Sequence, residues 1–331
     1  MRILLLTSGG PNDPSARVRL LQFRPAWDRA VGHTSAMPMA SPRAWSVRLR
    51  QAAALVRAWR ADVVVVQRLP SPKLARSLAR VNRRLIFDVD DAVFLGCPEL
   101  DDALPFYERV VVGNRFLADH ARRFNANVTV IPSVVDESRF PLDALVRAPA
   151  NDGPVTIGWI GHPDNMDNLA SLRPAFEDLA RRFPGRAVLK VVSSRPFDFG
   201  PGGPAVVNKP WRLDAEAADV RSFDVGLMPL ADTPWNRHKC AYKALLYMSQ
   251  GLPTVVTPVG VNADIIQDGV NGYHASTPEQ WADRLVRLLA DPPLAGRLGA
   301  AGRQTVLDQF TVAAVLPAWV AVLRGTVAGQ G

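Results

Sequence analysis

Residues 223–272 read FDVGLMPLADTPWNRHKCAYKALLYMSQGLPTVVTPVGVNADIIQDGVNG. The run Val225–Met228 is apolar and short, the length of a buried strand, and Pro229 ends it. A polar loop with Asp232, Trp235, Arg237, His238 and Lys239 follows, then a helical run from about Cys240 to Gln250. Gly251 and Pro253 supply a helix stop, and Thr254–Thr257 forms a second apolar strand. Pro258-Val259-Gly260 then opens a short helix. Strand, loop, helix, strand, glycine, helix is an α/β pattern, with its polar residues beyond the carboxyl ends of the strands, where such sheets take their ligands.

The same alternation extends in both directions. Residues 2–7, 62–67, 84–88, 110–113 and 128–131 read as strands, with helical patterns after most of them. It resumes with strands at 155–160, 189–192 and 206–207, and ends with helices over 278–290, 292–309 and 312–327. Between the two series lies Ala148–Gly153, a linker by composition. This predicts two parallel-sheet domains with right-handed crossovers, over 1–147 and 148–310, and a C-terminal helix over 311–331 that packs back toward the N-terminal domain.

A chain of 331 residues, 48% hydrophobic and 21% charged, suits a globular protein with two cores. No apolar run reaches the ~20 residues of a membrane-spanning helix. The N-terminal apolar stretch stops at Ser8-Gly9-Gly10, too early for a signal peptide, so a cytoplasmic location is expected. Cys97 and Cys240 form neither a disulfide framework nor a metal-ligand spacing. Charge is segregated: residues 1–85 carry a net +13 and the remainder −5. Such a basic half suits a polyanion, an anionic membrane or an acidic substrate. Nucleic acid is disfavoured, because no basic strand with interleaved aromatics is present.

Several groups carry chemistry. Gly9 and Gly10 sit between the first strand and first helix, where backbone can approach a ligand closely, but neither GxGxxG nor GxxxxGK[ST] is present. Asp88, Asp90 and Asp91 crowd the end of a buried strand, fit to bind a metal, accept hydroxyls or act as a base. Over 43–60, Trp45, Leu49, Ala52, Val56 and Trp59 share one helix face, and Arg43, Arg50 and Arg57 the other. One reading packs the apolar face on the sheet; the other rests the basic face on an anionic membrane.

Four blocks in order resemble a subgroup of the family 4 retaining glycosyltransferases, of the GT-B fold: two Rossmann-like domains facing across a cleft. They are Ser15-Ala-Arg17-Val-Arg19, Asp88–Ala92, Ile157–Gly161, and Asp224–Leu230 with Lys239–Lys243 and Tyr247–Pro253. The resemblance implies sugar transfer with retention from a nucleotide-sugar, UDP- or GDP-linked, held mainly by the C-terminal domain, without metal or other cofactor. The acceptor, a lipid-linked glycan or a small molecule, would lie mainly on the N-terminal domain.

The family's Glu-x7-Glu positions fall on His238 and Leu246; its usual arginine after the first C-domain strand falls on His162, next to Gly161, and its usual lysine shortly after is absent. Both glutamates are absent, which opens an alternative: a catalytically impaired binding or scaffold protein. A departing diphosphate gains charge, so cations aimed at it lower the barrier. Lys239 and Lys243, four apart at a helix start, are read as substitutes on one helix face, with His238 beside them. Gly260-Val261-Asn262 is a second phosphate cradle, and Asp264 stands where the family has a glutamate. Asp90 and Asp91 are assigned to hydroxyl recognition rather than metal, and Arg17 and Arg19 to donor phosphates or an acidic acceptor.

Overall fold

The computed structural model describes residues 1–40, 44–142 and 153–329. Arg43 and, except for Gly153, the expected linker lie outside them. The chain divides into two compact units. The first comprises Met1–Asp136, His238–Cys240 and Val312–Gly331; the second comprises Glu137–Arg237 and Ala241–Thr311.

In the first unit six strands form one parallel sheet: β1 (Arg2–Thr7), β2 (His33–Pro38), β3 (Val63–Gln67), β4 (Leu85–Val89), β5 (Arg109–Val112) and β6 (Val128–Val130). Their order is β2-β1-β3-β4-β5-β6. Connections run outward from β1 in both directions, so the topological switch point lies between β1 and β3. The four consecutive valines of β3 are fully buried, as a strand covered on both faces requires. Each contributes ~1.5–3 kcal/mol of apolar burial.

The helix Ala44–Arg60 packs onto this core through Ala54 and Ala58, with Leu55 beside them. The apolar face expected to meet the sheet does not: Leu49, Val56 and Trp59 are 60%, 54% and 69% exposed. Two small alanines a turn apart let the helix backbone approach closely, which turns the larger side chains outward. The last helix, Val312–Ala328, belongs to the first unit. Its fully buried Trp319 meets Trp27 edge-on at 5.2 Å and lies 5.9 Å from Phe23.

The second unit repeats the plan with β7 (Val155–Ile160), β8 (Ala187–Ser193), β9 (Val206–Pro210), β10 (Val225–Met228), β11 (Thr254–Val256) and β12 (Tyr273–His274). The order is β12-β11-β10-β7-β8-β9, all parallel, which puts its switch point between β7 and β10. Both sheets are thus Rossmann-like, as expected. Helices Arg173–Arg182, Pro278–Ala290 and Pro292–Gln309 bury Phe176, Trp281, Leu285 and Leu298 around Ile157, Trp159 and Leu189.

Candidate functional site

In the first unit the carboxyl ends of β1 and β3 carry a linked set of polar contacts. Ser8 donates its amide to Gln67 Oε1 at 3.1 Å, and its hydroxyl lies 2.8 Å from both Gln67 Oε1 and Asp13 Oδ2. Asp13 caps the helix Pro14–Arg19 by accepting the Ala16 amide, and the Gly10 carbonyl accepts the Asp13 amide. Gly9 and Gly10 therefore form the turn between β1 and this helix. Arg17 is buried, and its Nη1 donates to the Pro11 carbonyl.

Arg68 follows β3 directly, with φ of +52°, a left-handed conformation that costs a side-chain-bearing residue ~1–2 kcal/mol. Its Nη1 donates to Ser15 Oγ at 2.5 Å and lies 3.4 Å from Asp91 Oδ2 and 3.6 Å from Asp90 Oδ1. Ser15 in turn donates to Asp90 Oδ2 at 2.8 Å. Asp90, Asp91, Ser15 and Arg68 thus form one partly exposed cluster, with the guanidinium between the two carboxylates. Among the described residues, no group of three or more His, Cys, Asp and Glu side chains is arranged to hold a metal.

Arg19 and Asp88 lie deeper. Arg19 Nε and Nη2 donate to the Asp88 carboxylate, the shortest contact being 2.8 Å, and Nη1 donates to the Ile131 carbonyl. Arg19 is 1% exposed and Asp88 0%, so Arg19 cannot reach phosphates or an acceptor. The arginine is spent on neutralising a carboxylate inside the sheet edge. Burial pushes the Asp88 carboxyl up to about 6, with Arg19 pulling the other way.

His238–Cys240 belongs to this unit too. The Asn114 side-chain amide donates to the His238 carbonyl at 2.7 Å, and the Cys240 thiol donates to the Asp90 carbonyl at 3.1 Å. The His238 ring stands edge-on to Phe94 at 5.1 Å. The structure therefore brings His238 and Lys239 into the same unit as Asp90 and Asp91. Lys239 and Lys243 do not share a helix, contrary to the expectation of one helix face. The helix runs Tyr242–Ser249, and Ala241, at φ +54°, breaks any continuation toward Lys239.

In the second unit, Gly161 and His162 follow β7. Lys243 lies in the first turn of the Tyr242–Ser249 helix, with Nζ 5.4 Å from the centre of the Trp159 ring. A Cβ on Gly161 would meet Lys243 Cε at 2.6 Å and Trp159 at 2.8 Å, so only glycine lets the lysine stem lie there. The buried Tyr247 hydroxyl accepts the Ile160 amide at 3.1 Å and fixes this helix against the end of β7. His162 is exposed and caps the short turn Pro163–Asn165.

The loops after β10 and β11 are tied down as well. Asn168 Oδ1 accepts from the Ala231 amide and from Asn236 Nδ2, and Thr257 Oγ1 accepts the Leu230 amide. Asn262 is buried and donates to the Thr257 carbonyl; Val261 is buried and Asp264 exposed. Gly260 has φ +60°, and a Cβ there would sit 2.4 Å from the Arg237 carbonyl oxygen. Leu246, at one of the two missing glutamate positions, is buried and apolar. Sequence reasoning missed Arg68, Gln67 and Asn114, and gave Trp159 no role of its own although it lies in the Ile157–Gly161 block; of the three missed residues one carried a signal. That one is Asn114, a polar residue opening a helix, whose side chain accepts the Leu117 amide.

Solved structures share this architecture. Sucrose-phosphate synthase from Thermosynechococcus elongatus is similar over 99% of this chain and 100% of its own, with a TM-score of 0.72 and 15% identity. HepE from Anabaena, crystallised in complex with UDP, is similar over 98% and 100%, with a TM-score of 0.66 and 13% identity. A glycosyltransferase from Rickettsia africae is similar over 99% and 98%, with a TM-score of 0.67 and 13% identity. The fold these define is GT-B, two Rossmann-like α/β domains. Within it, residues 154–291, which contain β7 to β12, match the family described as Glycosyl transferases group 1. No curated protein matches the chain in sequence.

Proposed function

We propose that this protein is a hexosyl-type glycosyltransferase. It transfers a sugar from a nucleotide diphosphate sugar, UDP- or GDP-linked, to an acceptor hydroxyl with retention of configuration. Its products belong to polysaccharide, glycolipid or small-molecule glycoside synthesis. The observation that carries the reading is the Gly161–Lys243–Trp159 arrangement. It stands at the switch point of the second sheet, within the segment that matches the group 1 family. The crystal structures of HepE with UDP and with UDP-glucose support a nucleotide-sugar donor.

The chemistry follows from charge. When the anomeric C–O bond breaks, the electron pair goes to the diphosphate. A lysine ammonium held over an aromatic face is already oriented to stabilise that charge, with little reorganisation. The acceptor oxygen forms the new bond on the same face, and its proton passes to the departing phosphate, so no protein nucleophile or metal is required. In this scheme Gly9, Gly10, Arg17, Gly161, His162, Lys239, Gly260, Val261, Asn262 and Asp264 are donor-side contacts. His238 assists beside the reacting centre. Asp90 and Asp91, bridged by Arg68, recognise hydroxyl groups, and the protein works in the cytoplasm.

The test is release of nucleoside diphosphate from a panel of nucleotide-sugars. Lys243→Ala is expected to lower kcat by ~10²–10³-fold and Lys243→Arg by less. Leu246, buried and apolar at the second Glu-x7-Glu position of the family the sequence resembles, favours a second reading as a binding protein without turnover. A thermal shift with UDP- or GDP-sugars and no release with any hydroxyl acceptor would select it. Neither shift nor release would refute both.

A further inference from the structure

The helix Ala44–Arg60 leaves outward the side that an amphipathic pattern would bury. Leu49, Val56 and Trp59 are exposed, and Trp59 is the most exposed of the large apolar side chains among the described residues. At 100° per residue, Leu49, Ala52, Ala53 and Val56 fall on one stripe, and Trp59 lies at its margin. Ala52 and Ala53 are exposed as well. Arg48 and Arg57 border the stripe on its two sides, and Arg60 closes its end; all three are exposed. From Leu49 to Trp59 the stripe is ~15 Å long. The Asn82 side-chain amide donates to the Ala58 and Ala61 carbonyls, which brings exposed Val81 and Arg83 alongside the Trp59 end.

We infer that this stripe is a membrane-docking face, which lies flat on a bilayer containing anionic lipid. The charge pattern selects that occupant. The helix has no Asp or Glu, and residues 1–85 carry a net +13, so a second copy of the same face would set arginine against arginine. Nucleic acid would satisfy the arginines but leave the Leu49, Val56 and Trp59 surface in water. A bilayer surface satisfies both: phosphate and carboxylate headgroups for the guanidinium groups, the acyl boundary for leucine and valine, and the interface for tryptophan. The arrangement is the reverse of the basic-face docking that the sequence pattern suggests, because apolar and cationic residues here share the outward side. Docking stands independently of the transfer chemistry. It rests on that reading only for its consequence, an acceptor carried by a lipid.

The experiment is co-sedimentation of the full chain with phosphatidylcholine vesicles containing 0 or about 30% phosphatidylglycerol, at low and high salt. Binding is expected only with phosphatidylglycerol, falling about tenfold or more between the two salt concentrations. Leu49→Ser/Val56→Ser/Trp59→Ser is expected to weaken it about a hundredfold, and Arg48→Gln/Arg57→Gln/Arg60→Gln about fivefold per charge. Bromolipid quenching of fluorescence is expected to fall in Trp59→Phe. Unchanged far-ultraviolet dichroism and melting show that the variants fold. No partition to anionic vesicles, or equal partition by the apolar triple variant, overturns the inference. So does a wild-type dimer that this variant dissociates, since the face would then join two copies. None of these readouts requires sugar transfer, so they are independent of the proposed activity.

Discussion

Replacing Arg19 by methionine while leaving Asp88 in place is expected to destabilise the protein by ~3–5 kcal/mol at pH 8 and by less at pH 6. The guanidinium holds the carboxylate with three donations of 2.8–3.3 Å, and neither side chain is more than 1% exposed. Burial already raises the Asp88 carboxyl from 3.8 to about 6 despite this partner, and its loss raises it further. A carboxyl whose folded-state pKa lies above its unfolded value contributes stability that is complete below the unfolded value. That contribution is lost as pH rises through the folded value. Wild type finishes that loss near pH 6, whereas Arg19→Met goes on losing about 1.4 kcal/mol per pH unit up to its own higher pKa. Asp88→Leu differs in kind, because Arg19 cannot shed its proton and remains a buried cation at every pH. The double variant removes both desolvation costs and is expected to recover most of the loss. Urea unfolding of all four proteins at pH 6 and pH 8 gives the coupling energy. Additive single costs, or an Arg19→Met penalty that ignores pH, would refute the description of a coupled buried pair.

Three further outcomes are expected. Arg68→Gly should melt higher than Arg68→Ala, by the equivalent of ~1 kcal/mol, because both lose the contacts to Ser15, Asp90 and Asp91 but only glycine relieves φ +52°. Equal melting would mean that the backbone relaxes instead. Gly260→Ala should cost more than ~1 kcal/mol in thermal unfolding, since it combines φ +60° with a Cβ 2.4 Å from the Arg237 carbonyl oxygen. An aromatic disulfide reagent at pH 8 should label Cys97 in the native protein and Cys240 only in urea. Cys240 Sγ is held between the Asn114 side-chain amide and the Asp90 carbonyl, at 3.3 and 3.1 Å, and desolvation pushes its thiol up to about 12. Rapid labelling of both would contradict the geometry around Asn114 and Asp90.

The strands that the sequence revealed are those with an unbroken apolar run. The valines of β3 and Val225–Met228 of β10 have no alternative but burial. β2, HTSAMP, was invisible because its Thr34 and Met37 alternate with nothing periodic. The helix Ala44–Arg60 was legible as a helix but not in its orientation. The large side chains dominate a periodicity argument, whereas close approach to the sheet favoured Ala54 and Ala58. At the candidate sites, Asp90, Asp91 and the glycine turns could be picked out by residue type. The split between Lys239 and Lys243 could not, because it depends on one left-handed alanine that no propensity marks. Arg68 was hidden for the same reason. Its importance comes from following β3 at a switch point, a property of strand order rather than of local sequence.

The contact of Trp319 with Trp27 and Phe23 has a consequence for synthesis. The first unit cannot be finished when its sheet is finished, since its last helix is translated after everything in the second unit. At ~5–20 residues per second, Trp27 waits roughly a quarter-minute to a minute for its partner. During that interval Phe23 and Trp27 are an uncovered apolar surface on a nascent chain, a chaperone's substrate. A nonsense codon anywhere before residue 319 would make that transient exposure permanent, with β1 to β12 already synthesised if it fell after residue 274.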